Sequence, residues 1–121
     1  MVETYGLSHV ALAVADPERS LAFYSAVFGV EEYFRDADTI QVKGPGPHDV
    51  LAFERRPYIA GERGGILHFG FRLKTPQAIE AAITEVLGAG GAIRSRGEFG
   101  PGCPYAFVTD PDGYEIEIWF E

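Results

Sequence analysis

The sequence has few of the features that mark secreted, membrane or nucleic-acid-binding proteins. It contains a single cysteine, Cys103, so an intrachain disulfide cannot form. Only 10 lysines and arginines face 18 aspartates and glutamates, and the net charge of -8 argues against a phosphate-binding or anionic-membrane surface. No apolar run is long enough to span a bilayer, and Met1 is not followed by the basic start of a secretion signal. We therefore expect a cytoplasmic protein that binds neither nucleic acid nor membrane.

The chain repeats itself at an offset of 59 positions, the spacing between His9 and His68. Residues 6–14 and 65–73 both resemble strands. Each is followed by a helix start with proline at the first helical position, Asp16-Pro17 in the first copy and Thr75-Pro76 in the second. Each apolar helix stripe then ends at a glycine, Gly29 or Gly88. An offset that aligns the histidine with the helix boundaries indicates an internal duplication.

Short strands complete each copy, so the order is strand, helix and three strands, twice. The predicted strands after the helices are residues 32–35, 39–43, 49–54, 92–95, 105–109 and 115–120. We predict an α+β protein of two βαβββ modules, residues 1–55 and 65–121, joined by a linker at 56–64. The modules are expected to pair into one curved eight-stranded mixed sheet, with the helices outside and a central cleft.

Three titratable side chains are predicted on the sheet face opposite the helices. Side chains alternate across a strand, and this alternation separates His9, His68 and Glu117 from the bulky apolar residues. A lone histidine on a strand is usually a hydrogen-bonded structural residue, and Glu117 could simply face water. Two histidines at duplicated positions together with a carboxylate favour a divalent-metal site that leaves coordination positions open to substrate.

The duplication also predicts how many protein ligands this site has. Superposing the last strand of each module places Ala52 opposite Glu117. A site with two histidines and two carboxylates would need a glutamate or glutamine at position 52. We therefore expect three protein ligands.

The motifs that carry these residues resemble those of the vicinal oxygen chelate superfamily over essentially the whole chain. They are HVALAVADP at 9–17, LHFGFR at 67–72 and DPDGYEIE at 110–117. The superfamily includes glyoxalase I, extradiol dioxygenases, fosfomycin-resistance transferases, methylmalonyl-CoA epimerases and bleomycin-binding proteins. In the family pattern, His9, His68 and Glu117 match metal-ligand positions, and two adjacent oxygens of a small-molecule substrate chelate the ion. The resemblance also implies a homodimer, in which a site is formed within one chain or shared across a swapped pair.

The resemblance leaves several reactions open. Three ligands suit an extradiol-dioxygenase-like enzyme with Fe(II) or Mn(II), which is the leading hypothesis. A glyoxalase I-like lyase or isomerase using Zn(II) or Ni(II) normally has the fourth ligand that Ala52 does not provide. Two further hypotheses are a fosfomycin-resistance-like transferase and a metal-free protein that sequesters a drug as bleomycin-resistance proteins do.

Further residues are assigned roles under the leading hypothesis. His48 resembles the extradiol segment that supplies an acid/base histidine, with Asp49 one position away in register. Under the fosfomycin-type alternative, Arg72, together with Arg94 and Arg96, could supply the charge that binds a phosphonate substrate. The candidate apolar walls of the substrate site are Phe53, Tyr105, Phe107 and Trp119.

Overall fold

The computed structural model describes all 121 residues and divides them into two compact units, Met1–Ala60 and Gly61–Glu121. Each unit has the order strand, helix and three strands. Neither helix combines the length and apolar character needed to cross a membrane.

The first unit is a four-stranded sheet covered on one face by a helix. Its elements are β1 (His9–Val14), α1 (Pro17–Phe28), β2 (Glu31–Arg35), β3 (Thr39–Lys43) and β4 (Val50–Arg55). The sheet order is β1-β4-β3-β2, with β1 parallel to β4 and the other pairs antiparallel. Helix α1 packs on β3 and β4, and alternate strand residues form the core. The buried strand residues include Leu12, Val14, Ile40, Val42, Leu51 and Phe53.

The second unit repeats this arrangement. Its elements are β5 (Phe69–Arg72), a short 3-10 turn (Pro76–Ala78), α2 (Ile79–Gly88), β6 (Ala92–Glu98), β7 (Pro104–Thr109) and β8 (Glu115–Trp119). The order is β5-β8-β7-β6, again with the first and last strands of the unit parallel. Helix α2 packs on β6, β7 and β8. The strand residues buried on that face include Ala106, Val108, Ile116 and Ile118.

The α+β class and the two βαβββ modules are confirmed, with one difference in the sheets. We predicted that the modules pair into one eight-stranded sheet, whereas the strands are hydrogen-bonded as two sheets of four, one in each unit. The last strand of each unit lies between the first and third, so every strand pairs only with strands of its own unit. Alternation along a strand fixes which face is buried, but it does not identify the neighbouring strand.

The two helices begin and end differently. In α1, the Asp16 carboxylate accepts a hydrogen bond from the Glu18 amide at 3.0 Å, and Gly29 ends the helix with φ of 65°, as predicted. In the second unit, Thr75 precedes the 3-10 turn and makes no side-chain capping bond, and α2 includes the predicted stop Gly88 as its last residue. The left-handed residue is Gly90, with φ of 93°.

Replacing Asp16 should weaken the first unit more than the equivalent change weakens the second. We expect Asp16→Ala to lower the free energy of unfolding by about 1 kcal/mol, because the Glu18 amide loses its acceptor. Thr75→Ala is the matched control, since Thr75 makes no capping bond, and its effect should be clearly smaller. Urea denaturation of both variants measures the difference, and equal losses would contradict the capping role of Asp16.

Candidate functional site

Glu117 lies on the second-unit sheet, on the face opposite α2. Its strand neighbours Ile116 and Ile118 are fully buried on the helix side, and alternation turns Glu117 the other way. Strand β8 is central, so Glu117 is flanked by its register partners Gly70 on β5 and Phe107 on β7. The Glu117 side chain is 16% exposed. A carboxylate at this depth needs a partner to offset the loss of hydration.

That partner is His68. The Nε2 atom of His68 lies 3.2 Å from Oε2 of Glu117, and the histidine side chain is 32% exposed. The Phe107 ring meets the imidazole edge-on, with centroids 5.1 Å apart. The structure therefore brings together two of the three predicted metal ligands and places an aromatic ring against one of them.

Gly70 keeps the sheet surface beside this pair clear. A Cβ atom there would lie 3.2 Å from the Glu117 carbonyl oxygen and 3.5 Å from Nε1 of Trp119. The first distance is tighter than most real contacts, so a larger residue would press on the backbone that carries Glu117. The absent side chain therefore leaves open surface between His68 and Arg72.

His9 belongs to the first unit, where it is the first residue of β1. It is exposed, and the Ser8 hydroxyl lies 2.8 Å from its Nδ1 atom, so Nε2 is the nitrogen available to a ligand. His9 lines a depression of about 260 Å³ together with Ser8, Tyr33, Gln41 and Val50. Within either unit, no group of three or more His, Cys, Asp and Glu side chains could hold a metal ion.

Ala52 occupies the position in the first unit that Glu117 holds in the second. Ala52 pairs with Ala11 on the parallel strand, and Glu117 pairs with Gly70, the residue equivalent to Ala11. Ala52 is 3% exposed. The strand register thus bears out the equivalence that the duplication predicted.

The polar neighbour of Ala52 was not recognised in the sequence. Gln41 on β3 is the register partner of Ala52, and the Tyr33 hydroxyl donates a hydrogen bond to its side-chain oxygen at 2.7 Å. In the second unit the equivalent position is Phe107. The duplication aligns Gln41 with Phe107 only once the strand register is known, and the sequence does not give that register.

Four predicted substrate-site residues share the sheet face of His68 and Glu117. Tyr105 and Trp119 are register partners, and Phe107 lies two residues along β7 from Tyr105. The Arg72 guanidinium lies 5.5 Å from the centre of the Trp119 ring and donates a hydrogen bond to the Glu121 carbonyl.

Phe99, which we had not predicted, extends this aromatic surface. Its ring stacks on Tyr105 with centroids 4.5 Å apart, and Tyr105 meets Phe107 at 5.6 Å. Phe99 lies in the loop between β6 and β7 and is 60% exposed. Because Phe99 lies in a loop, the alternation of side chains along strands does not predict its position.

The assignment of Phe53 to the substrate site needs correction. Its side chain is fully buried, and its ring packs 5.0 Å from that of Tyr24 on α1. Phe53 pairs with Leu12 and Ile40, which are also on the helix side of the sheet. It is a core residue of the first unit because the alternation that exposes one face buries the other.

The other residues considered in the sequence are His48, Arg96 and Arg94. His48 is exposed in the turn before β4 and stacks on Tyr5 with ring centroids 5.0 Å apart. Arg96 faces the helix side and forms an ion pair with Glu80 of α2. Its hydrogen bond holds the pKa of Glu80 below the ordinary value. Arg94 lies at an irregularity of the β6–β7 ladder.

Comparison with known proteins identifies the superfamily to which this chain belongs. The family model described as the Glyoxalase/Bleomycin resistance protein/Dioxygenase superfamily matches residues 6–118. The chain belongs to this superfamily. The fold agrees with solved structures that include a glyoxalase-related enzyme from Fulvimarina pelagi, with a TM-score of 0.79, 23% identity and coverage of 98% of this chain and 89% of that one. Another is a variant of the fosfomycin resistance protein FosX from Listeria monocytogenes, solved with Mn(II), with a TM-score of 0.81, 17% identity and coverage of 96% and 90%.

Relatives in sequence differ in activity. Metapyrocatechase from Geobacillus stearothermophilus is 29% identical over 95% of this chain, and a manganese-dependent 2,3-dihydroxybiphenyl 1,2-dioxygenase from Geobacillus genomosp. 3 is 31% identical over 93%. The chain spans only 34% and 36% of their lengths. Lactoylglutathione lyase from Salmonella typhimurium is 32% identical over 93% of this chain and 90% of its own length.

The corrected position of Phe53 predicts an effect on stability. We expect Phe53→Ala to lower the free energy of unfolding by roughly 3–5 kcal/mol, as truncation of a buried aromatic leaves a cavity. Phe107→Ala is the matched control, because Phe107 is only partly buried on the open sheet face. Thermal and urea unfolding compare the two variants. A smaller loss for Phe53→Ala than for Phe107→Ala would show that Phe53 is not a core residue.

Proposed function

We propose that the protein is a metal-dependent enzyme that binds Fe(II) or Mn(II) through His9, His68 and Glu117. The reaction proposed is extradiol cleavage, by dioxygen, of an aromatic ring carrying two adjacent hydroxyl groups. The observation that carries the proposal is the His68–Glu117 pair, 3.2 Å apart on a helix-free sheet face. Relatives whose names include manganese or Mn(II) support a divalent ion.

The donor chemistry of the proposed ligands fits such an ion. Two imidazole nitrogens and one carboxylate are the set used by non-haem Fe(II) sites that keep open positions. His68 and Glu117 present Nε2 and Oε2, and His9 presents Nε2 because Ser8 engages its other nitrogen. When bound, the ion would bring the two substrate oxygens together and activate dioxygen.

The aromatic surface beside His68 favours a planar substrate. Phe107, Tyr105 and Phe99 form a continuous series of ring contacts that begins at His68. Aromatic faces and edges bind flat apolar rings with defined geometry. A one-ring diol held near His68 would contact Phe107, whereas a larger substituent would extend towards Tyr105 and Phe99.

Two of the three arginines considered for a phosphonate are engaged by other groups. Arg96 is paired with Glu80, and Arg72 is held against Trp119 and the Glu121 carbonyl. A fosfomycin-type substrate needs a cationic pocket, so this reaction is less well supported. Metal-free drug sequestration is also disfavoured, because it gives no role to the His68–Glu117 pair.

A lyase of the glyoxalase I type is the second candidate. It is favoured by the lactoylglutathione lyase of Salmonella typhimurium, which matches this chain over 90% of its own length. Against it stands Ala52, which supplies no fourth ligand at the position equivalent to Glu117. Isomerisation of a hemithioacetal in the presence of Ni(II) or Zn(II) distinguishes the two reactions.

The chain's own residues have separate tasks under the leading reaction. Phe107 contacts His68 and limits the movement of its ring. His48 is the proposed acid/base that takes a proton from the diol and returns it. The bond broken joins a hydroxyl-bearing ring carbon to its neighbour outside the diol, and both oxygen atoms of O2 enter the product, so no external reductant is required.

The metal ligands are tested by metal content. Wild-type protein should retain one Fe(II) or Mn(II) per chain after dialysis, and His68→Ala and Glu117→Gln should each retain much less, since each loses a donor. His48→Ala is the control and should bind metal normally. Mass-spectrometric metal analysis measures the ratio. If wild-type protein and His68→Ala hold equal trace amounts, the metal-site proposal is wrong.

The reaction is tested by oxygen uptake after anaerobic loading with Fe(II). We expect one O2 to be consumed per molecule of catechol or phenyl-substituted catechol. Phe99→Ala should raise KM for the phenyl-substituted diol and leave KM for catechol nearly unchanged, because Phe99 lies at the far end of the aromatic series. If no diol causes oxygen uptake and the protein isomerises a hemithioacetal, the dioxygenase proposal is wrong and the lyase proposal is supported.

A further inference from the structure

The backbone that carries His68 is not held by the sheet. The ladder between β5 and β8 begins at Phe69, which pairs with Ile116, so Leu67 and His68 precede it. His9, by contrast, lies within the ladder of its own unit and pairs with Val50. Something other than strand pairing must therefore fix the position of His68 relative to Glu117.

Arg63 contacts both the segment before His68 and the strand that carries Glu117. Its Nη1 atom donates hydrogen bonds to the Leu67 carbonyl at 3.0 Å and to Oε2 of Glu115 at 3.0 Å. Leu67 immediately precedes His68, and Glu115 lies two residues before Glu117 on the same face of β8. A single guanidinium nitrogen therefore links the backbone before one proposed ligand to the strand that carries the other.

A tight turn allows Arg63 to reach these partners. The Ile66 amide donates to the Arg63 carbonyl at 2.9 Å, and the intervening Gly64 and Gly65 have φ of 56° and 100°. Residues with side chains rarely adopt such angles. The turn reverses the chain, so that the arginine side chain lies alongside the segment that follows it.

We propose that Arg63 is a positioning residue that holds His68 against Glu117 in the geometry required to bind the metal. The inference rests on the proposed metal site and assigns Arg63 no contact with substrate. The ion pair with Glu115 orients the guanidinium, and the bond to the Leu67 carbonyl transmits that orientation to His68. Residues that orient metal ligands from outside the coordination sphere affect metal affinity by about tenfold to a hundredfold.

The first unit has no equivalent of the link that Arg63 makes in the second unit. The positions equivalent to Arg63 and Glu115 are Thr4 and Val50, which cannot form an ion pair. Thr4 instead accepts a hydrogen bond from the Gly6 amide. Since His9 lies within its ladder, the first unit has no need of a guanidinium at this position.

The test compares Arg63→Ala with Arg55→Ala, which removes another exposed arginine, paired with Asp38 at 3.8 Å. Exposed ion pairs contribute little to overall stability, so both variants should unfold near the wild-type temperature. We expect Arg63→Ala to bind Mn(II) about tenfold more weakly than wild type and Arg55→Ala to bind it normally. Glu115→Gln, which keeps the bond to Leu67, should lie between them, and Arg63→Lys should recover part of the affinity.

Amide hydrogen exchange of the metal-free protein separates this inference from the metal site itself. Exchange at His68 and Phe69 should be faster in Arg63→Ala than in Arg55→Ala, whether or not metal binds. Unchanged exchange together with wild-type Mn(II) affinity would overturn the role of Arg63. A different outcome is faster exchange in Arg63→Ala while even the wild-type protein binds no Mn(II). That outcome would support the contact made by Arg63 and refute both the metal site and the positioning role.

Discussion

The parallel pairing of the first and last strands of each module is the constraint on which the candidate site depends. It brings a histidine from the start of a module beside a position near the module's end, and in the second unit that position is Glu117. The two residues are far apart in sequence, so neither helix propensity nor local turns could bring them together. Helix α2 then covers the other face through Ile116 and Ile118, which leaves Glu117 on the open side.

The His68–Glu117 contact also makes the metal-free protein physically reasonable. A carboxylate that is 16% exposed has lost much of its hydration, and an unpaired charge at that depth would be costly. The imidazole supplies that partner at 3.2 Å. A divalent ion must therefore compete with an existing contact, so the restraint on the His68 backbone matters for affinity as well as for structure.

Much of this arrangement was accessible from the sequence because it is local or periodic. Asp16 and Gly29 mark the ends of α1 by chemistry that acts over one turn, and strand alternation assigned Glu117 to its face. The failures have equally definite causes. Phe53 was assigned to the open face although its position in the alternation places it under α1. Arg63, Phe99 and Gln41 were missed because their contacts depend on a turn, a loop and a strand register that periodicity does not reveal.

The duplicated halves have diverged in a way that bears on recognition. Where the second unit has Glu117 and Phe107, the first has Ala52 and Gln41, and the amide of Gln41 is oriented by the Tyr33 hydroxyl. One module thus presents a carboxylate flanked by aromatic rings, and the other a histidine beside a polar amide. The surface of the second unit suits an apolar, planar group, and the surface of the first suits a group able to form hydrogen bonds. An aromatic diol carries both kinds of group, because its hydroxyl groups lie along one edge of the ring and its opposite edge is apolar.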